Sequence, residues 1–279
     1  MWVGQQLADG LDFWGFLGSL ILGGIILGIY TGLLGYVGAK TGLSLDLLSQ
    51  RAFGEKGSYL PSAMTSFTQI GWFGVGSFVS GGTATPNFAR FAKNGKAGAI
   101  TTVVAFFIGN SLMFFFGAVS SIFVGGNDIF EVMVRLNLFY LAVLVLGLNI
   151  WTTNDNALYT AGLGLANIFH QRKKPMVLLS GIIGTVASVW LYYNFCGWLN
   201  ILNCSLPPVG MILVLAYFMN KEDFETDQPK LKTVDWFAVA GVILGAIVAN
   251  LLHWGIASIN GMVVAAVCYC VGQAVNKRK

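Results

Sequence analysis

The chain has 279 residues, of which 56% are hydrophobic and only 10% charged, and its mean hydropathy is +0.71. A soluble domain carries about 25% charged residues, so water cannot solvate a surface this poor in charge and the sequence describes an integral membrane protein. The net charge of +4 is small and sits in loops, which leaves no basic face for nucleic acid; no nucleophile–base pair, phosphate loop or metal-ligand spacing points to an enzyme.

A helix needs about 20 apolar residues to cross hydrocarbon. Eight segments meet that measure: 13–39, 59–88, 97–124, 136–168, 176–195, 198–220, 234–252 and 255–275. None alternates as a transmembrane strand would, so the predicted fold is an all-α helical bundle. No cleavable leader is visible, because the first twelve residues hold Asp9 and Asp12 but no Lys or Arg. The first segment carries Gly24, Gly28 and Gly32, a ridge of small residues that lets a second helix approach closely, and Gly241 and Gly245 repeat the device.

The second segment is punctuated by Gly71, Gly74, Gly76, Gly81, Gly82 and Pro86. Its flanks conflict with the positive-inside rule. Lys40, Arg51 and Lys56 precede it and Arg90, Lys93 and Lys96 follow it, so a single crossing would put one basic loop outside. From Lys96 onward two segments separate each basic cluster from the next: Arg172, Lys173 and Lys174; then Lys221, Lys230 and Lys232; then Lys277, Arg278 and Lys279. A glycine-rich interruption is tolerable at membrane depth where it is buried or lines a cavity. The sequence therefore predicts a broken or re-entrant 59–88, leaving seven spans with the N-terminus outside and the C-terminus cytoplasmic.

The fourth segment contains GLNIWTTNDNALY at 147–159. Asn149, Thr152, Thr153, Asn154, Asp155 and Asn156 crowd into a helix otherwise apolar enough to sit in lipid, and such groups are costly there unless they face a cavity, an ion or another helix. Asp155 could relay a proton, pack by hydrogen bonding or cap a break; with no basic partner in any segment, hydrogen bonding to the Asn and Thr neighbours is expected. Pro207 and Pro208, in the sixth segment, should kink or break it. The stretch after it, KEDFETDQPKLK, reads as a solvated loop. Cys268 and Cys270 read as packing residues, and Cys196 and Cys204 could pair only if both lay on an oxidising face. His170 reads as a helix-end residue, and His253 does not suggest a ligand.

GLNIWTTNDNALY, TQIGWFGVG, GSFVSGGTATPNFARF, AFFIGNSLMFFFGA, LGYVGAKTGL and the PPVG of the sixth segment together resemble the nucleobase–cation symporter family over essentially the whole chain. The resemblance implies a leucine-transporter-like inverted-repeat bundle of twelve helices, with substrate at the midplane between broken helices. The chain departs from that pattern. TQIGWFGVG belongs to the family's third helix and SFVSGGTATPNFARF to its sixth, yet here they meet between Gly76 and Ser77. Met1 corresponds to a position near the middle of the first helix. The expected architecture is an incomplete inverted repeat of seven or eight hydrophobic helices: 1–76 as the remnant of a largely missing first repeat, 77–220 as the second repeat and 221–279 as two C-terminal helices.

Cytosine, the substrate this resemblance implies, is a flat neutral ring that needs aromatic faces and amides that both donate and accept. Gln69 and Trp72, three apart on one helix, offer both, and Phe78 and Asn149 add a ring and an amide. By resemblance Trp72 and Phe78 sandwich the base while Gln69 and Asn149 bond its edges, with Ser80 and Gly76 as further contacts beside the break. Packing is the alternative role for the two aromatics. Asn149, Thr152 and Thr153 can direct hard oxygens at a coupling sodium ion, a proton being the other candidate; back-bonding within the helix is the alternative for the hydroxyls. The rest of the ion site would lie upstream of Met1. No other cofactor is implied. The expectations are thus cation-coupled uptake of cytosine by alternating access in a bacterial inner membrane. Against it stand a non-transporting remnant and a relative selective for another base or a hydantoin-like ring.

Overall fold

The computed structural model describes residues 12–75, 81–125, 129–226, 229, 231–252 and 254–276. Among them there is no strand, and every hydrophobic segment forms helix. We number the helices α1 (Phe13–Thr41), α2 (Leu45–Phe53), α3 (Tyr59–Val75), α4 (Gly81–Ala84), α5 (Pro86–Ala89), α6 (Gly95–Val104), α7 (Asn110–Val124), α8 (Ile129–Arg135), α9 (Phe139–Phe169), α10 (Lys173–Tyr193), α11 (Phe195–Met219), α12 (Lys221–Glu225), α13 (Trp236–Leu251) and α14 (Ala257–Asn276). A π-helical turn at Ala105–Gly109 joins α6 to α7. Five of the helical stretches are long and apolar enough to cross a membrane: Phe13–Thr41, Gly95–Val124, Lys173–Leu191, Gly197–Met219 and Ala257–Asn276. At 31 residues α9 also has the length to span.

The glycine ridges pack as expected. A Cβ on Gly24 would sit 2.9 Å from the Phe107 ring of the π turn, and one on Gly32 would reach Val103 at 2.6 Å, so α1 lies directly against α6. Likewise a Cβ on Gly245 would sit 2.7 Å from the Gly261 carbonyl, which brings α13 and α14 into backbone contact. The main core joins these elements: Leu34 and Val37 of α1, Phe53 of α2, Ile212 and Tyr217 of α11, Phe224, Val242 and Tyr269 are all buried.

The basic loops converge on one end of the bundle. Lys40 approaches Glu225 at 3.9 Å, the Arg51 guanidinium donates to the Asp223 carbonyl at 2.7 Å, and Tyr59 Oη meets His170 Nε2 at 2.7 Å. The mixed-charge loop is tied down there. Glu55 N donates to Lys232 O at 2.7 Å and Asp235 N to Phe53 O at 2.6 Å, while Lys232 pairs with Asp235 at 3.0 Å. Gly54, at φ +86°, makes that approach possible, since a Cβ would sit 2.6 Å from the Lys232 carbonyl.

The interrupted segment returns to the end it left. Near the start of α3, Ser62 Oγ donates to Asp46 Oδ1 at 2.6 Å; after α4, the side chain of Asn87 accepts from Leu45 N at 2.7 Å. Both ends of 59–88 thus meet the N-terminus of α2. This is the re-entry that the charge pattern required.

Of the kink or break expected at Pro207 and Pro208, the break does not occur, because α11 runs through both. The carbonyl that Pro207 leaves without its usual partner, that of Asn203, accepts from Ser258 Oγ of α14 at 3.3 Å, and Asn203 Oδ1 accepts from the same hydroxyl at 2.6 Å. Cys204 is a buried free thiol, so no disulfide forms with Cys196.

Candidate functional site

The site region lies where α3, α9 and α11 meet. Helices α3 and α9 run antiparallel, and their register is fixed by polar contacts at one end. Asn167 Nδ2 donates to Ser58 Oγ at 3.0 Å and Ser62 Oγ at 2.9 Å, and Ser66 Oγ donates to Ala161 O at 3.1 Å. Gly164 lets them approach, since a Cβ there would sit 2.8 Å from the Ser62 carbonyl. Continuing at one residue per 1.5 Å of rise places Gln69 roughly level with Leu158, and Trp72 with Asn154 and Asp155.

Gln69 is only 7% exposed and is held in a polar interaction. Trp72 lies one turn later in α3. Between them Gly71 packs so closely on the indole of Trp198 that no Cβ could be added. Trp198 belongs to a second core cluster with Ala157, Leu191, Leu202 and Leu206, which forms the floor under Gln69. Sequence reading assigned Trp198 no role, and its signal would have been its pairing with a glycine on another helix.

The polar cluster of α9 divides by direction. Asn149, Thr152, Asp155 and Asn156 are exposed, while Thr153 and Asn154 are half-buried. Thr152 Oγ1 donates to Leu148 O and Asn149 O, both at 3.1 Å, which is the intrahelical back-bonding set beside ion binding above. Asp155 takes no hydrogen bond among the described residues, so the expected bonding to its neighbours does not form; it points away from them along the exposed face. Asn149 lies about 13 Å along α9 from the level of Gln69, a nine-residue rise. Phe78, Ser80 and Gly76 lie outside the described residues.

A residue not singled out as a base ligand is also placed for one. Asn154 Oδ1 is buried with no hydrogen-bond partner among the described residues, level with Trp72 on the facing helix. A buried amide oxygen left unbonded costs about 1–3 kcal/mol, so this acceptor is suited to a donor supplied by something that binds. The sequence signal was its place among six polar residues; which of the six turns inward is set by the α3–α9 register.

A cavity of about 250 Å³ lies on another side of α11, between α1, α4 and α14, with Tyr30, Thr83, Asn203 and Ser258 as its polar lining. Tyr30 Oη and Thr83 Oγ1 are 2.8 Å apart and bonded to each other. None of the predicted site residues among the described ones lines it.

Among known proteins, the family model described as permease for cytosine/purines, uracil, thiamine and allantoin matches residues 1–84 and 74–275. The cytosine permease of Escherichia coli strain K12 is 36% identical over 372 residues, covering 100% of this chain and 88% of the relative. That alignment exceeds the 279 residues of the chain by 93, which have no counterpart here. The two family matches overlap at 74–84, where α3 ends and α4 begins. The allantoin permease of Bacillus subtilis strain 168 is 34% identical over 82 residues, 29% of this chain and 16% of its own length. In architecture the chain is similar to Mhp1, a nucleobase-cation-symport-1 family transporter solved in a closed conformation with bromovinylhydantoin bound. The TM-score is 0.75 at 14% identity, over 98% of this chain and 88% of that one.

Proposed function

We infer function from one premise: this chain belongs to the family of permeases for cytosine, purines, uracil, thiamine and allantoin. It is a multi-pass membrane transport protein of the nucleobase class, not an enzyme. The finer reading is uptake of cytosine coupled to a cation, with sodium favoured over a proton, by alternating access in a bacterial inner membrane. The C-terminus and the basic end of the bundle would then face the cytoplasm.

The observation that carries the site is the unbonded, buried Asn154 Oδ1 level with Trp72 and close to the level of Gln69. Two amides on facing helices can satisfy a base that carries an amine, a ring nitrogen and a carbonyl, because each amide both donates and accepts. Trp72 supplies a face for the ring, and Phe78 the second face. Selectivity follows from the same geometry, since a ring without the exocyclic amine leaves Asn154 unbonded. Asn149, Thr152 and Thr153 lie farther along α9 and would form the protein half of the cation site, separate from the base.

Cytosine binding to the purified chain, followed by titration calorimetry, tests the site. Asn154→Ala is expected to weaken it about 30-fold, or ~2 kcal/mol, and Trp72→Ala by at least as much. Unchanged affinity in both would sink the assignment. Competition by uracil, allantoin and a hydantoin ranks the alternative rings.

A second reading has its own support. The 93 residues of the E. coli relative without a counterpart leave the polar face of α9 exposed, so the chain could bind without transporting. Cytosine uptake by cells expressing this chain alone separates the two, and uptake no greater than vector control favours the non-transporting form.

A further inference from the structure

At the basic end of the bundle two cations share one phenol. The Arg90 guanidinium, just past α5, donates through Nη2 to the hydroxyl of Tyr159, and Lys173 Nζ stands 3.4 Å over the centroid of the same ring. Like charges so close repel each other, and neither forms an ion pair among the described residues. The Asp46 carboxylate feels the Arg90 charge but is buried on α2 and occupied by Ser62 Oγ at 2.6 Å. Arg90 Nε is itself buried without a hydrogen-bond partner.

Three further features point the same way. Helix α10 begins at Lys173, and Arg172 before it makes no side-chain cap, so the Lys173 and Lys174 amides open a 21-residue helix without a capping side chain, and Pro175 carries no N–H that would need one. Arg172 and Lys174 flank it, both exposed. Beside the charges lies bare apolar surface. Phe91 is 73% exposed with the Arg90 guanidinium 4.7 Å from its ring centroid, and Phe88 is exposed 6.1 Å from the Tyr159 ring. Donors and positive charge thus converge at the end of a spanning helix, beside two exposed aromatic rings.

We propose that Arg90, Lys173 and the N-terminus of α10 form a binding site for the phosphodiester headgroup of an anionic phospholipid, with Phe88 and Phe91 against its acyl chains. A phosphodiester supplies acceptors for the Arg90 guanidinium and for the Lys173 and Lys174 amides, and neutralises two cations that otherwise repel. Basic pockets between membrane helices take anionic headgroups on this principle, and a zwitterionic lipid, whose ammonium would meet Arg172 and Lys174, is disfavoured.

Native mass spectrometry of the full chain released from detergent, with phosphatidylglycerol or phosphatidylcholine added, tests the site. The chain is expected to retain phosphatidylglycerol in preference, and Lys173→Gln to cut that retention about five-fold, as does Arg90→Gln. Lys221→Gln, which removes another exposed cation lying over an aromatic ring, leaves it unchanged. Should Arg90→Gln fail to fold, Lys173→Gln decides alone, because the contact of its ammonium is with a ring face. Equal retention of the two lipids, or full retention by Lys173→Gln, overturns the proposal. Displacement of phosphatidylglycerol by millimolar inorganic phosphate overturns it as well, since that marks a site for free anions rather than for lipid.

Discussion

The two halves of α9 are built on opposite plans. From Ala157 to Asn167 the helix is laid against its neighbours through small residues: Ala157 and Ala161 are buried, Gly162 meets Val177 of α10, and Gly164 meets Ser62 and Ser66 of α3. Tyr159 and Asn167 there are bonded across helices, to Arg90 and with Gln50 Nε2 donating to Asn167 Oδ1 at 2.6 Å, while Thr160 Oγ1 is buried without a partner among the described residues. From Phe139 to Asn156 the same helix is bare over most of its surface, Tyr140 being 88% exposed and Leu141, Leu144, Leu148 and Trp151 also exposed, with Ala142 buried and Thr153 and Asn154 half-buried. Lipid can cover those apolar side chains, but it cannot satisfy Asn149, Asp155 and Asn156 on the same half. By the α3–α9 register, the bare half begins level with the end of α3. The end of α3 is also where the two family matches overlap. The difference teaches that packing and binding are separable along one helix: the first is complete in this chain, and the second is an open wall.

Substitutions that exploit this contrast should differ most at the glycines. Gly164→Val forces a side chain into Ser66 Oγ and the Ser62 carbonyl and is expected to cost about 3 kcal/mol of stability. Gly147→Ala meets nothing within 4 Å and should be neutral or stabilising by up to ~1 kcal/mol, as helix propensity dictates. Thermal unfolding in one detergent compares the two, and equal losses would show that the bare half is packed after all.

The closed half should also betray its buried acid. Burial pushes the Asp46 carboxyl up to about 6, against the opposing pull of the Ser62 bond and the charge of Arg90. A raised acid binds its proton more tightly in the folded state than in the unfolded one. Stability is therefore full below the unfolded value near 3.8 and falls as pH rises towards 6, by about 3 kcal/mol in all. Asp46→Asn keeps an acceptor for Ser62 and should flatten unfolding between pH 4 and about 7; a slope that persists in the variant rules Asp46 out as its source. A smaller loss, ~2 kcal/mol, is expected for Asn167→Ala, which strips partners from Ser58, Ser62 and Gln50. Asn156→Ala on the bare half should cost under about 0.5 kcal/mol.

Much of this was legible in the sequence where the determinant is local. Segment length gave the helices, Gly24, Gly28 and Gly32 gave the α1–α6 contact, and basic loops flanking 59–88 gave its return. What stayed hidden depends on partners far along the chain. Pro207 predicts a break only if its orphaned carbonyl stays orphaned, and Ser258, 55 residues from Asn203, prevents that. Nothing near Asp46 in the sequence announces that it will be buried with Ser62 as its hydrogen-bond donor. Six polar residues in a row cannot say which turns inward, and Asn154 emerged only from the register with α3.

The finest separation lies within the bare half, at Thr152. Its hydroxyl is bonded to its own helix, to Leu148 O and Asn149 O, so Thr152→Val removes nothing that another helix uses and should change stability by less than about 0.5 kcal/mol. If the hydroxyl also ligates sodium, the substitution is not silent in binding. A hard cation gains little from a methyl group where an oxygen stood, so the increase in cytosine affinity on adding sodium should shrink about ten-fold while affinity without sodium is kept. Asn154→Ala is expected to do the reverse, weakening binding at every sodium concentration and leaving the ratio intact. Titrating both variants with and without sodium tells the base site from the ion site. Loss of affinity in Thr152→Val that does not depend on sodium would merge them into one and place the base against the bare half of α9.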